Sequence, residues 1–322
     1  MRERINILIG SDINYAPYYG VMLTSLFMNN KENLFDVYLL TDETWSETVS
    51  LPFRKLCEQY SSLFHVYKVS ANDFKDYPKT GTIAQSAYYR LEACRLLPSY
   101  IQKILYLDGD LLVVGNINEL WNIDLEGKGI ACVLDCESYN SSIYSRLHLD
   151  STRREYCNAG VALYNLQYWR DNNIRDKAIE YISRNAESLY WMDQDVINVV
   201  LANHKIILPT RYNFQNYLYA NRNWSNYNNF TKENINYEQS KIVIVHYSSQ
   251  PKPWNFRYFG APFYREWDYY RSISQWSYCK VYRPFGKYIK YLIKRYFMPA
   301  FYKKQIAHAW HISDSNKQFF WA

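Results

Sequence analysis

Lys103-Ile-Leu-Tyr-Leu-Asp108-Gly-Asp110-Leu-Leu-Val-Val114 is an apolar, strand-like run broken by two carboxylates two residues apart. In extended backbone, residues i and i+2 project to the same side, so Asp108 and Asp110 aim at one point in space. Paired hard oxygen donors suit a divalent cation such as Mg²⁺ or Mn²⁺, and an ion held by few protein ligands keeps positions open for substrate phosphates. The first reading is a metal-dependent enzyme acting on a phosphorylated or nucleotide-linked substrate. The alternative is a β-turn in which Asp-Gly-Asp simply reverses the chain.

Upstream of this run the pattern is strand, helix, strand. Ile5 to Gly10 reads as a short buried strand followed by a loop, Ser11-Asp12-Ile-Asn14-Tyr15. Tyr18 to Met28 has helical spacing, Phe35 to Leu40 is a second strand, and a polar helix from Ser46 to Tyr60 precedes a strand from Leu63 to Val69. These spacings predict a parallel α/β sheet, in which ligands sit beyond the carboxyl ends of strands. Asp12, Asn14 and the Asp108-Gly-Asp110 segment would all lie there. No glycine-rich dinucleotide fingerprint follows the first strand and no phosphate loop ends in Gly-Lys-Ser or Gly-Lys-Thr, so hydride transfer and ATP hydrolysis lose their usual signatures. Asn221 to Asn236 is rich in Asn and is expected to form a polar loop.

The 322 residues, 48% hydrophobic and 18% aromatic, supply ample material for one large core or a core plus an appendage. With 34 Tyr and 10 Trp, the aromatics are expected to serve sugar or membrane contact as well as packing. Cys57, Cys94, Cys132, Cys136, Cys157 and Cys279 are scattered without a Cys-x-x-Cys pair and read as reduced thiols, and the spacing of Cys132, Cys136 and Cys157 is wrong for a zinc knuckle. No signal-like or spanning apolar run is present, and the expectation is a cytoplasmic chain.

The formal charge of +6 is local: residues 280–304 hold eight Lys or Arg and no acid, leaving −2 for the remainder. Within that stretch Phe285, Tyr288, Ile289, Leu292, Ile293, Tyr296 and Phe297 recur at helical spacing. Lys287, Lys290, Lys294 and Arg295 fall opposite, Pro284 opens the helix and Pro299 closes it. An apolar and aromatic stripe against a basic face predicts a helix lying on an anionic membrane surface; an ordinary surface helix packed on the core or docked to a partner is the alternative. No nucleic-acid motif accompanies the basicity.

Four further segments matter together: Ala87-Tyr-Tyr-Arg90-Leu, Cys157-Asn158-Ala159-Gly160-Val-Ala-Leu-Tyr-Asn-Leu166, Asp193-Gln194-Asp195-Val-Ile-Asn198, and His246-Tyr-Ser-Ser-Gln-Pro-Lys252-Pro-Trp254. Their order and spacing around Asp108-Gly-Asp110 resemble glycosyltransferase family 8, especially the bacterial lipopolysaccharide and lipooligosaccharide α-galactosyltransferases and glucosyltransferases, over residues 5–256. The resemblance implies the GT-A nucleotide-sugar fold, a Rossmann-like mixed sheet flanked by helices. It also implies a UDP-galactose or UDP-glucose donor, Mn²⁺ as cofactor with Mg²⁺ as the alternative, and retention of anomeric configuration. On this reading residues 1–262 form the catalytic domain and 263–322 a basic, aromatic extension. The chain would sit on the inner face of the cytoplasmic membrane, building a lipopolysaccharide core or another lipid-linked glycan.

By the same resemblance His246 completes the metal site with Asp108 and Asp110, its imidazole favouring Mn²⁺. Lys252 adds a charge to the diphosphate, with Trp254 as a packing wall; a solvated lysine is the alternative. Arg90 grips a donor sugar hydroxyl or orients Asp108, against a structural salt bridge. Asn158, Ala159 and Gly160 form a sugar-pocket floor, against a tight turn before a buried strand. Asp193 accepts sugar hydroxyls and Gln194 sits on the reactive face, whereas Asp195 is structural. Asp12 and Asn14 hydrogen-bond the uracil edge, against a helix N-cap, and Asp135 lines the acceptor side. One departure is Ser249, where the family commonly has glycine. Two competing classes are a haloacid-dehalogenase-like phosphatase, which also opens with Asp-x-Asp but near its N-terminus, and a non-catalytic sugar-nucleotide binder at the membrane.

Overall fold

A computed structural model describes residues 4–78, 84–219, 231–255, 261–279, 281 and 285–300. Strands β1 (Arg4–Gly10), β2 (Leu34–Thr41), β3 (Leu63–Lys68), β4 (Lys103–Leu107), β6 (Ile130–Leu134), β7 (Cys157–Asn165) and β8 (Lys205–Leu208) form one sheet in the order β3-β2-β1-β4-β7-β6-β8. A second sheet joins β5 (Leu111–Val113), β10 (Ile244–His246) and β9 (Phe214–Gln215) in that order. The helices Ala16–Asn29 and Glu47–Gln59 link the first three strands, close to their sequence-derived bounds.

The alternating side chains of β1 divide the core. Ile5, Ile7 and Ile9 join a layer with Phe27, Phe53 and Trp267, while Leu8 joins the opposite layer with Tyr38, Tyr88, Ile104 and Trp169. Burial on both faces is why these strands read as continuous apolar runs rather than as alternating ones. β1 pairs in parallel with β2 and β4, but β7 inserts antiparallel between β4 and β6. The all-parallel reading of the N-terminal half therefore does not extend across the sheet, which is mixed. The inversion places the first residues of β7 beside the last residues of β4, where Asp108 N–H donates to Gly160 O at 2.9 Å.

The expected Asn-rich loop gives way at its end to a helix, Lys232–Gln239, because Thr231 Oγ1 accepts from Asn234 N and caps it; residues 220–230 lie outside the described set. Beyond residue 262, helix Tyr264–Ile273 lies against helix Ala16–Asn29, and Trp267 and Trp276 are buried in the main core. A Cβ at Gly20 would sit within the Trp276 ring, so glycine there is what lets the indole reach the first helix. Helix Phe285–Phe297 forms as predicted, with Phe285, Ile289, Ile293 and Phe297 exposed; Lys280, Arg283, Pro284, Lys303 and Lys304 are outside the described residues. Among the described residues no helix is long and apolar enough to cross a membrane. All six cysteines are buried thiols.

Candidate metal and sugar site

The chain leaves the large sheet at Leu107 and enters the small one at Leu111, so Asp108-Gly109-Asp110 spans the step between them. β10 runs antiparallel to β5 with His246 opposite Leu111, which delivers an imidazole to the two carboxylates. One ligand atom from each of Asp108, Asp110 and His246 lies within 4.8 Å of the others.

The two Asp108 oxygens have different environments. Oδ1 accepts from Arg90 Nη2 at 2.9 Å and from Tyr106 O–H at 2.6 Å. A Cβ built on Gly160 would approach Oδ2 to 2.6 Å and would strike the His246 ring as well. The missing side chain at Gly160 thus keeps open a space lined by a carboxylate and an imidazole, a donor set and cradle that fit a divalent cation. At Asp110, Oδ1 lies 3.4 Å from His246 Nε2 and Oδ2 lies 2.5 Å from Lys252 Nζ, which also donates to Tyr247 O at 2.6 Å. Burial would raise the Asp110 carboxyl, but Lys252 and His246 outweigh it and hold it well below the usual carboxylate range.

Arg90 is fully enclosed. Besides Asp108 it donates to Ala159 O at 2.7 Å and Ala87 O at 3.1 Å, and its guanidinium lies 3.7 Å above the Tyr106 ring. Its Nε is also 3.0 Å from Asp193 Oδ2, yet that oxygen is buried with no directed hydrogen bond. Arg90 thus spends its fork on protein groups, orienting Asp108 and facing Asp193. Burial pushes the Asp193 carboxyl up to about 7, with Arg90 opposing and Asp108 adding to the rise.

A register shift between Cys132 and Val133 bulges β7, leaving Ala159, Gly160 and Val161 without partners on β6 while Asn158 stays opposite Val133. Asn158 Nδ2 donates to Asp135 Oδ2 at 3.0 Å, and its Oδ1 accepts from Gly160 N–H at 3.0 Å. Gln194 is held at both ends: Oε1 accepts from Ala159 N–H at 3.0 Å, while Nε2 donates to Tyr156 Oη at 3.2 Å and Asp135 Oδ2 at 3.3 Å. Asp195, fully buried, accepts from Arg146, from Tyr156 O–H at 2.6 Å, and from the N–H groups of Tyr190 and Trp191 at 2.8 and 2.9 Å. Those bonds brace Met192, whose φ of 48° is unfavourable for a side chain with a Cβ, directly before Asp193.

The structure therefore brings together Arg90, Asp108, Asp110, Asn158, Ala159, Gly160, Asp193, Gln194, His246 and Lys252. Asp12, half-buried, and Asn14, exposed, stand at the carboxyl end of β1, with Asp12 Oδ1 accepting from Asn14 N–H at 2.9 Å and Tyr15 N–H at 3.1 Å. That bonding is a local turn cap. Asp135 links Asn158 to Gln194. Ser249 turns its N–H and hydroxyl to Asn216 Oδ1, at 3.3 and 2.9 Å. Trp254 stacks on Tyr18 with ring centroids 3.7 Å apart and packs against Trp267 at 5.8 Å. Tyr106, Tyr156, Arg146 and Asn213 escape a reading of the sequence, since nothing distinguishes them from ordinary core residues until the strands are in register.

The family model described as Glycosyl transferase family 8 matches residues 6–257. The chain is 27% identical over 275 residues to the lipopolysaccharide 1,2-glucosyltransferase of Escherichia coli K12, covering 85% of this chain and 77% of that protein. It is 28% identical over 311 residues to the lipopolysaccharide 1,3-galactosyltransferase of Salmonella typhimurium, covering 94% and 89%. Its fold matches the crystal structure of the galactosyltransferase LgtC in complex with donor and acceptor sugar analogues, with a TM-score of 0.74, 21% identity, and coverage of 84% of this chain and 96% of that one. The sheet with its flanking helices is thus the GT-A fold, and the match across most of the catalytic fold places this chain in glycosyltransferase family 8.

Proposed function

We propose that this glycosyltransferase moves galactose or glucose from a UDP-sugar to a hydroxyl of a lipopolysaccharide core or another lipid-linked glycan, with retention of configuration. The observation that carries the reading is the convergence of Asp108, Asp110 and His246 on the space left by Gly160. These three residues would hold the divalent ion, Mn²⁺ before Mg²⁺ because of the imidazole. A bound ion would act as a Lewis acid on the diphosphate leaving group. Lys252, now on Asp110, adds a second positive charge within reach of the same group.

Asp193 keeps one oxygen without a directed partner, the condition under which it accepts a sugar hydroxyl. Gln194 is an amide, a poor nucleophile, and its fixed orientation supports front-face substitution: the acceptor hydroxyl attacks from the side on which the nucleotide leaves, and the departing phosphate takes its proton. A retaining double displacement needs a carboxylate opposite the leaving group instead, so a sugar trapped covalently on Asp193 or Gln194 would sink this mechanism. Asp12 and Asn14 face the uracil. Residues 264–279 serve the catalytic core, and the helix from Phe285 attaches the enzyme to the cytoplasmic face of an anionic membrane, for which its exposed apolar residues are the support.

The test is UDP release from a panel of UDP-sugars, with Mn²⁺ and with chelator, against Asp108→Ala. Metal-dependent turnover of one UDP-hexose, lost in the variant, bears the reading out. No turnover together with no Mn²⁺-dependent UDP binding moves the assignment to a non-catalytic binder.

A further inference from the structure

We propose that Asn213 is a positioning residue that fixes which nitrogen of His246 carries the proton, and so presents Nε2 as a bare lone pair to the metal site. The inference rests on the metal reading above. Asn213 lies between the turn at Thr210–Tyr212 and β9, and β9 pairs in parallel with β10 so that Gln215 is opposite His246. Asn213 and His246 are both buried.

A chain of three hydrogen bonds joins a backbone amide to the imidazole. Gly160 N–H, which can only donate, meets Asn158 Oδ1 at 3.0 Å. The other end of Asn158 donates to the Asp135 carboxylate at 3.0 Å, so both ends agree on which atom is oxygen. Asn158 Oδ1 therefore also accepts from Asn213 Nδ2, at 2.9 Å. That leaves Asn213 Oδ1, an acceptor, facing His246 Nδ1 at 2.8 Å. A neutral imidazole can satisfy this contact only with its proton on Nδ1.

Asp110 pulls the other way, but more weakly. Its Oδ1 is 3.4 Å from Nε2, and its Oδ2 is already matched by Lys252 Nζ at 2.5 Å. The opposite tautomer would set two lone pairs against each other at 2.8 Å to gain one long bond. With the proton on Nδ1, Nε2 and the Asp110 carboxylate confront each other as two acceptors, which a cation reconciles. Gly160 then acts twice: its missing side chain clears the space, and its N–H sets the imidazole.

The experiment is ¹⁵N ring-nitrogen NMR of the full chain, metal-free and at alkaline pH, with His246 assigned by its loss in His246→Gln. The wild type is expected to show Nδ1 protonated and Nε2 bare. Asn213→Leu, which keeps volume and removes both bonds, is expected to revert to Nε2–H and to weaken Mn²⁺ binding, read by electron paramagnetic resonance, by roughly 10- to 100-fold. Asn213→Asp, which keeps an acceptor toward Nδ1, is expected to hold the wild-type tautomer. A wild type protonated on Nε2 overturns the proposal without any variant, and so does a folded Asn213→Leu that stays protonated on Nδ1. The expected tautomers in a protein that binds no Mn²⁺ would uphold the relay and refute the metal reading instead.

Discussion

At Gly160 a methyl group would enter the space between Asp108 Oδ2 and His246. Gly160→Ala is expected to abolish Mn²⁺-stimulated UDP release while lowering stability by only about 1–3 kcal/mol, an overpacking cost; activity assays beside urea unfolding separate the two. Asp193 makes a pH prediction. Its native carboxyl is raised to about 7 by burial, above its unfolded value, so between the two the native state binds more protons than the unfolded chain. That stabilising increment is complete at acid pH and is lost as pH rises toward neutrality. Asp193→Asn should flatten this part of the urea-stability profile, and an unchanged slope would show that Asp193 is ionised throughout. Asp108 and Asp110 were legible because their type and spacing advertise chemistry, whereas His246 and Lys252 were legible only through the resemblance to the family. Asn213 and Tyr156 were not, since a lone Asn or Tyr acquires its role only from the partner that strand register sets across from it.

Strand register is also where the element scale departs from sequence. Apolar runs located β1, β2 and β3 to within a residue, whereas the single run 103–114 divides into β4 and β5 on two sheets. The direction of β7 had no local signature: antiparallel insertion follows from its pairing with both β4 and β6. The bulge at Cys132/Val133 was equally hidden, although it takes Gly160, the residue beside Asp108 and His246, out of the ladder with β6. The C-terminal helix Tyr264–Ile273 and Trp276 are elements of the core despite following the last sequence motif. Trp276 fills the notch at Gly20 and lies 4.5 Å from Phe53, ring centre to ring centre. Trp276→Ala should therefore cost about 3–5 kcal/mol in urea unfolding, the range for a buried aromatic cavity. A loss below 1 kcal/mol would mean that this segment merely rests on the surface.

Charge and exposure organise the whole molecule. Without residues 280–304 the chain carries −2, so the net basicity of the molecule lies in that stretch. The exposed Phe285, Ile289, Ile293 and Phe297 add apolar area on the same helix. Each Lys or Arg near an anionic bilayer contributes roughly 1 kcal/mol, screened within a Debye length, whereas the apolar contribution is insensitive to salt. Truncation after Cys279 keeps Trp267 and Trp276 and hence the core. The truncated protein should release UDP at the wild-type rate without acceptor but fail to sediment with phosphatidylglycerol vesicles. The full chain should sediment with them at low salt, weaken as salt rises, and keep a salt-resistant fraction that Phe285→Ser with Phe297→Ser removes. Equal sedimentation of the full and truncated chains would put any membrane contact outside the basic stretch and assign that stretch to a protein partner or to the core.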